Sequence, residues 1–175
     1  MALLTADYHV YPDFHGNRSP LADPAMTGAL CGLTIDCSVR QLAKAYLATI
    51  QALAYGTRHI VEAMAARGQV ISVATICGGL AKSSLFVQTH CDVLGLPVVR
   101  PRESESVLLG AAMLGAAAAS EGESTLLSVL ARMGQPGDIH SPDRRLAAFH
   151  EKKYKVFKKM SEDQIKYRNI MNDQI

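Results

Sequence analysis

The chain has 175 residues, enough for one domain with a sizeable core, and its 49% hydrophobic and 19% charged residues exclude the disordered class. A net charge of +2 gives no global case for nucleic-acid binding; residues 140–175 carry nine Lys/Arg against five Asp/Glu, read as a solvated helix face. No apolar run reaches ~18 residues and no charged segment followed by a long apolar run opens the chain, so neither a membrane span nor a secretory signal is expected.

Residues 5–11 alternate in β-favouring residues until Pro12, which predicts a strand. Residues 12–28 read as loop, and Leu30–Ile35 as a second short strand. Ser38-Val-Arg-Gln41 has the form of a capping box, in which the serine hydroxyl and the glutamine amide satisfy orphan N–H groups. Apolar residues at helical spacing follow from Leu42 to Met64; Gly68 is the expected terminator and Gly56 the place for a bend. Val70–Cys77, β-branched with almost no polar face, predicts a strand buried on both sides as in a parallel sheet. Gly78-Gly79 breaks it. A helix from about Leu80 to Leu94, a strand over Leu96–Arg100 and a small-residue helix from about Glu105 to Ser120 come next. Residues 121–142 are expected to wander over the surface. A final amphipathic helix from about Arg144 to Ile170 takes Leu146, Phe149, Tyr154, Phe157, Met160, Ile165 and Tyr167 as anchors. Strand, helix, strand, helix in this order predicts an α/β layered domain. The four cysteines (Cys31, Cys37, Cys77, Cys91) form no CxxC pair or Cys/His cluster, so free buried thiols in a reducing, cytoplasmic setting are expected and a metal site is not.

The stretch Ile76-Cys-Gly-Gly-Leu-Ala-Lys-Ser-Ser84 is where chemistry enters. Without Cβ atoms, Gly78 and Gly79 let a flat ring or a phosphate approach the backbone, and the helix that follows offers free N–H groups. The segment matches neither the Walker loop nor G-x-G-x-x-G, so its local sequence leaves a nucleotide site and a plain strand-to-helix turn both open. Lys82 invites a phosphate-binding role but reads first as an exposed first-turn side chain, and Ser83 and Ser84 either bond a ligand or cap the helix. Gly110, in mid-helix at a cost of about 1 kcal/mol against alanine, asks for compensation, either close packing of the helix or room made for an adenine.

Four stretches in register resemble the C-terminal domain of the FGGY family of carbohydrate kinases. Asp13-Phe-His-Gly-Asn-Arg-Ser-Pro20 resembles the family's F-x-G-x-R-x-P loop in its pentulose (ribulose) kinase form. Gly28-Ala-Leu-Cys-Gly-Leu33 with Gln41 and Leu42 resembles its second signature. Ile76–Gln88 with Cys91-Asp-Val-Leu-Gly-Leu-Pro97 resembles its adenine-site segment, and Glu105 with Leu109-Gly-Ala-Ala112 the helix that follows. The match runs over roughly residues 8–120; Tyr46, Ala48 and Ser83 depart from the usual pattern, Ser83 standing where many members carry asparagine.

The resemblance implies an α/β fold, part of an actin/hexokinase-like (ribonuclease H-like) ATPase domain with helices packed on a sheet. It implies that residues 1–175 form an incomplete C-terminal domain without the first domain. The implied activity is ATP-dependent phosphorylation of a pentulose such as D-ribulose by the parent protein, with this chain supplying the nucleotide half; a catalytically inactive nucleotide-binding or regulatory short form, or a kinase for another sugar or polyol, stays open. ATP and Mg2+ are the implied cofactors. Gly78, Gly79, Leu80 and Ser83 are carried over as the adenine/ribose edge, with Gly110 as packing support and no catalytic or metal residue in this chain. Asn17 and Arg18 lie in a loop where a structural role, the arginine hydrogen bonds tying the loop down, competes with a substrate contact. The partners implied are a small-molecule sugar and ATP, with no nucleic acid and no membrane; a homodimer is left open. A chain truncated in this way should expose apolar patches and be poorly soluble.

Overall fold

The computed structural model describes residues 1–120 and 125–172. A 3-10 turn over Ala2–Thr5 leads into β1 (His9–Tyr11), which pairs antiparallel with β2 (Ala29–Cys31), His9 opposite Cys31. Both strands are shorter than their sequence patterns, because Thr5 belongs to the turn and residues 32–35 to no strand. Helix α1 (Val39–Ala65) runs without interruption through Gly56. Only half of the expected capping box forms: Ser38 Oγ accepts the Gln41 N–H at 3.4 Å, while the Ser38 N–H goes to Asp36 Oδ1 at 2.9 Å instead of to the Gln41 side chain. Its C-terminus unwinds as expected, with Gly68 at φ +83° and the Gln69 N–H returning to the Met64 carbonyl at 3.0 Å.

Strand β3 (Ala74–Thr75) leads through a 3-10 turn, Gly79–Lys82, into α2 (Ser84–Leu94). Strand β4 (Val98–Arg100), α3 (Ser106–Ala119), α4 (Leu126–Met133) and β5 (Asp138–His140) follow. A 3-10 turn over Arg144–Leu146 opens α5 (Ala147–Asn172). β3 pairs parallel with β4, Ala74 opposite Val98, and β4 pairs antiparallel with β5, Val99 opposite Ile139. Both α4 and β5 depart from the sequence pattern, since they fall in the segment read as surface loop, whose residues 121–124 lie outside the described residues.

The strand expected to be buried on both faces is a short edge strand covered on one. Ala74 and Ile76 pack with Val87 and Cys91 of α2 and with Val98, whereas Val70 and Val73 are 85% and 49% exposed. Helix α3 is as one-sided: apolar throughout, it buries only Met113. A Cβ at Gly110 would meet nothing within 4 Å, so the packing role assigned to that glycine is not seen among the described residues. Exposed apolar residues of the expected kind are thus present around β3 and α3, and also in the loop before α1 and on its first turns at Leu33, Ile35, Val39 and Leu42.

The main core lies where β1, α1, α2 and α5 meet, around Tyr11, Met26, Ala54, Tyr55, Val93, Tyr154 and Phe157. Of the anchors assigned to α5, Tyr154 and Phe157 are buried, but Tyr167 is exposed and the polar residues His150, Lys153 and Ser161 take inward positions. Each of these three finds a partner across the core: Tyr55 OH with His150 Nδ1 at 2.9 Å, Tyr11 OH with Ser161 Oγ at 3.0 Å, and Lys153 Nζ with the carbonyls of Thr5 and Tyr8 at 2.7 and 2.6 Å. No disulfide forms, and of the four free thiols only Cys91 is buried; Cys31, Cys37 and Cys77 are exposed. No described helix is long and apolar enough to cross a membrane.

Candidate functional site

β3 and β4 run parallel, and the loops leaving their carboxyl ends diverge, one toward α2 and one toward α3. A crevice at this place is where open α/β sheets receive ligands. Here it is a cavity of about 320 Å³. One wall is Ile76, Cys77, Gly78, Ala81 and Lys82; the other is Arg100, Pro101, Arg102, Glu103, Ser104 and Ser106, closed by Asp138 at the start of β5. Gly78 holds φ +89°, a conformation that only glycine takes without strain, and this turns the chain from the strand into the 3-10 turn over the cavity.

The residues singled out from the sequence separate here. Gly78 lines the cavity, whereas Gly79, Leu80 and Ser83 are not among its lining residues. Gly79 stands in the turn, where an added Cβ would meet nothing within 4 Å, and Leu80 is 59% exposed. Ser83 caps α2, its Oγ accepting the Phe86 N–H at 3.3 Å. Lys82 is exposed and also lines the cavity. Asn17 ties its own loop, donating to Asp13 Oδ2 at 2.7 Å and accepting the Leu21 N–H at 2.9 Å. The arginine that anchors this loop is Arg168 of α5, paired with Asp23 at 2.7 Å, rather than Arg18.

Sequence reasoning missed the charged side of the cavity. Arg100 and Asp138 are register partners on β4 and β5, with Arg100 Nη2 3.0 Å from Asp138 Oδ2. Arg102 reaches the other oxygen more loosely, Nε to Oδ1 at 3.5 Å, with its side chain 61% exposed. The Arg100 guanidinium beside Asp138 holds its carboxyl below the usual carboxylate range. Gly137 permits this approach, since a Cβ there would lie 2.7 Å from the Arg100 carbonyl oxygen. Glu103 is turned toward its own loop, where Oε1 accepts the Glu105 N–H at 2.9 Å. Helix α3 opens on the same cavity through Ser106, and its N-cap residue, Glu105, supplies no side-chain cap. The cavity is therefore cationic on balance, with Lys82 on one wall and Arg100 and Arg102 on the other against the two carboxylates Glu103 and Asp138, of which Asp138 pairs with the arginines. The signal available in the sequence was Arg100-Pro101-Arg102 directly after a strand; its partner on β5 sits in a strand too short to read.

This geometry suits a nucleotide better than a metal. The cavity offers glycine backbone for a ring and cationic groups for phosphate. Asp138 is committed to two arginines and Glu103 to a backbone N–H, so the residues present do not make a Mg2+ cage, and among the described residues no group of three His, Cys, Asp or Glu side chains is placed to hold a metal ion.

Residues 1–119 match the model of the FGGY family of carbohydrate kinases, C-terminal domain. The chain belongs to this family. It is 52% identical over 171 residues to an FGGY carbohydrate kinase domain-containing protein of Xenopus laevis, covering 98% of this chain and 31% of that protein. It is 40% identical over 112 residues to a D-ribulokinase of Saccharomyces cerevisiae, covering 63% of this chain and 16% of that one. Among solved structures it superposes on a xyloylose kinase from Brucella ovis with a TM-score of 0.76 at 22% identity, over 90% of this chain and 31% of that chain. The fold is thus that of the FGGY kinases, actin/hexokinase-like, and this FGGY chain spans about a third of the length of such relatives.

Proposed function

We infer that the chain is the nucleotide-holding part of an ATP-dependent carbohydrate kinase acting on a pentulose, D-ribulose being the first candidate. The observation that carries this is the cavity at the carboxyl ends of β3 and β4, where the Gly78 turn and Lys82 face Arg100 and Arg102. Family membership supports the kinase class, and the likeness to a ribulokinase supports the sugar.

Phosphoryl transfer depends on positioning and on stabilising charge, with a carboxylate accepting the proton of the attacking hydroxyl. The chain provides the first two elements at this cavity. The Gly78 turn gives backbone to a ring, and the arginine wall offsets phosphate charge. It does not provide the proton acceptor there, because Asp138 is kept ionised and paired by Arg100 and Glu103 accepts from its own backbone. The base, the metal ligands and the sugar contacts are assigned to the part of such kinases that this chain does not span.

Two measurements test the reading. Titration of ATP into the chain should show binding that Lys82→Ala weakens several-fold, with no loss of stability, since this lysine lines the cavity and its side chain is exposed. The same chain mixed with ATP and D-ribulose should release no sugar phosphate. Robust turnover would show that the chain carries its own base, and absence of ATP binding would remove the nucleotide assignment.

A further inference from the structure

The cavity distinguishes its two arginines. Arg100 lies opposite Asp138 in the β4–β5 ladder, bonded at 3.0 Å with one third of its side chain exposed, and is fixed by the strand pairing. Arg102 follows Pro101 beyond the strand end, 61% exposed and 3.5 Å from the same carboxylate. An exposed, shared ion pair of this kind is worth only ~0–1 kcal/mol, and a phosphate offers a guanidinium two charge-assisted bonds in place of one loose one. Lys82 stands on the facing wall, and Glu103 is drawn away into the Glu105 turn. Of the two lining carboxylates, Asp138 is the one within ion-pair distance of Arg102, and so the one that competes directly with an incoming anion for it.

We propose that Arg102 is the anion-holding residue of the cavity and that Asp138 positions it while acting as its internal competitor, so that the site selects a nucleoside polyphosphate over the bare nucleoside. The inference rests on the nucleotide reading of the same cavity and adds to it the part of the ligand that is recognised. In the unliganded chain Arg102 rests on Asp138 Oδ1; with ligand it turns to phosphate oxygen, while Arg100 stays in the ladder and keeps the Asp138 charge compensated.

Calorimetric titration of the 175-residue chain with ATP, adenosine and tripolyphosphate at low ionic strength tests this. ATP should bind about tenfold or more tightly than adenosine, and Arg102→Ala should remove most of that gap while leaving adenosine affinity unchanged. Arg102→Lys should restore part of it. Asp138→Asn should widen the gap several-fold and steepen its dependence on salt, whereas a merely structural Asp138 would alter both ligands alike. Equal binding of ATP and adenosine, unmoved by Arg102→Ala, overturns the inference and leaves the nucleotide reading standing. Failure of both to bind overturns the nucleotide reading, and tripolyphosphate binding indifferent to Arg102→Ala overturns the assignment of the arginine on its own.

Discussion

Lys153 illustrates how much a single side chain owes to its partners. It is 5% exposed on a helix whose sequence reads as a basic, solvated tail, and its ammonium donates to the Thr5 and Tyr8 carbonyls and faces His9 Nδ1 at 2.9 Å. These acceptors lie at the other end of the chain, so no local pattern marks this lysine as inward. Lys153→Met keeps the length but takes the ammonium away from the Tyr8 carbonyl and leaves the Thr5 carbonyl with only the Tyr8 N–H at 3.1 Å, which should cost about 1–3 kcal/mol in urea denaturation. Burial pulls the pKa of the Lys153 ammonium down to about 8. Because the folded value lies below that of the unfolded chain, the folded form gives up this proton first. The group's contribution to stability therefore rises from pH 8 toward the unfolded value and is lost as pH falls back through 8. The Met variant should lack that rise, so the gap between wild-type and variant urea midpoints should be wider at about pH 10 than at about pH 8. Gly78 is the opposite case. Its positive φ follows from the Gly-Gly pair itself, and the turn is legible without the fold.

Among the elements, α3 separates a helix that forms from a helix that packs. Its run of alanines and leucines favours the former, and its bounds, Ser106–Ala119, agree closely with the expected ones. Packing falls to Met113, buried beside α4, while Val107, Leu108 and Leu114 are 76%, 67% and 61% exposed. Met113→Ala should destabilise the α3–α4 pair by about 2–3 kcal/mol, seen as faster amide exchange in those two helices with α1 and α5 unchanged. Leu108→Glu and Leu114→Glu should stay within about 0.5 kcal/mol of wild type in denaturation while raising soluble yield. Loss of the fold on either substitution would mean that this face is covered. Helix α1 and the turn after it are legible almost whole from Ser38 to Gly68, since capping and termination are local. β3 is shorter and barer than its pattern, because a β-branched run looks alike whether one face or two are covered.

At the scale of the molecule, burial lowers the pKa of His9, His59, His90 and His150, the loss of solvation being the largest cause in each. Their folded values lie below the unfolded 6.5, so the chain is fully stabilised by neutral imidazole above that pH and loses stability as pH falls below it. Melting temperature should fall between about pH 7.5 and 5.5, before the paired carboxylates of Asp23 and Asp138 are protonated, and His150→Gln should flatten that fall. A flat profile for wild type in this window would refute it. The sequence alone determined the family, the strand–helix alternation, the Gly78 turn and the ends of the long helices, because these depend on residues near one another in the chain. The tertiary structure decided which faces are covered, that Lys153 and His150 point inward, and that Arg100, Arg102 and Asp138 share one cavity wall. These depend on pairings between segments 38 to 148 residues apart, and spacing along the chain carries no trace of them.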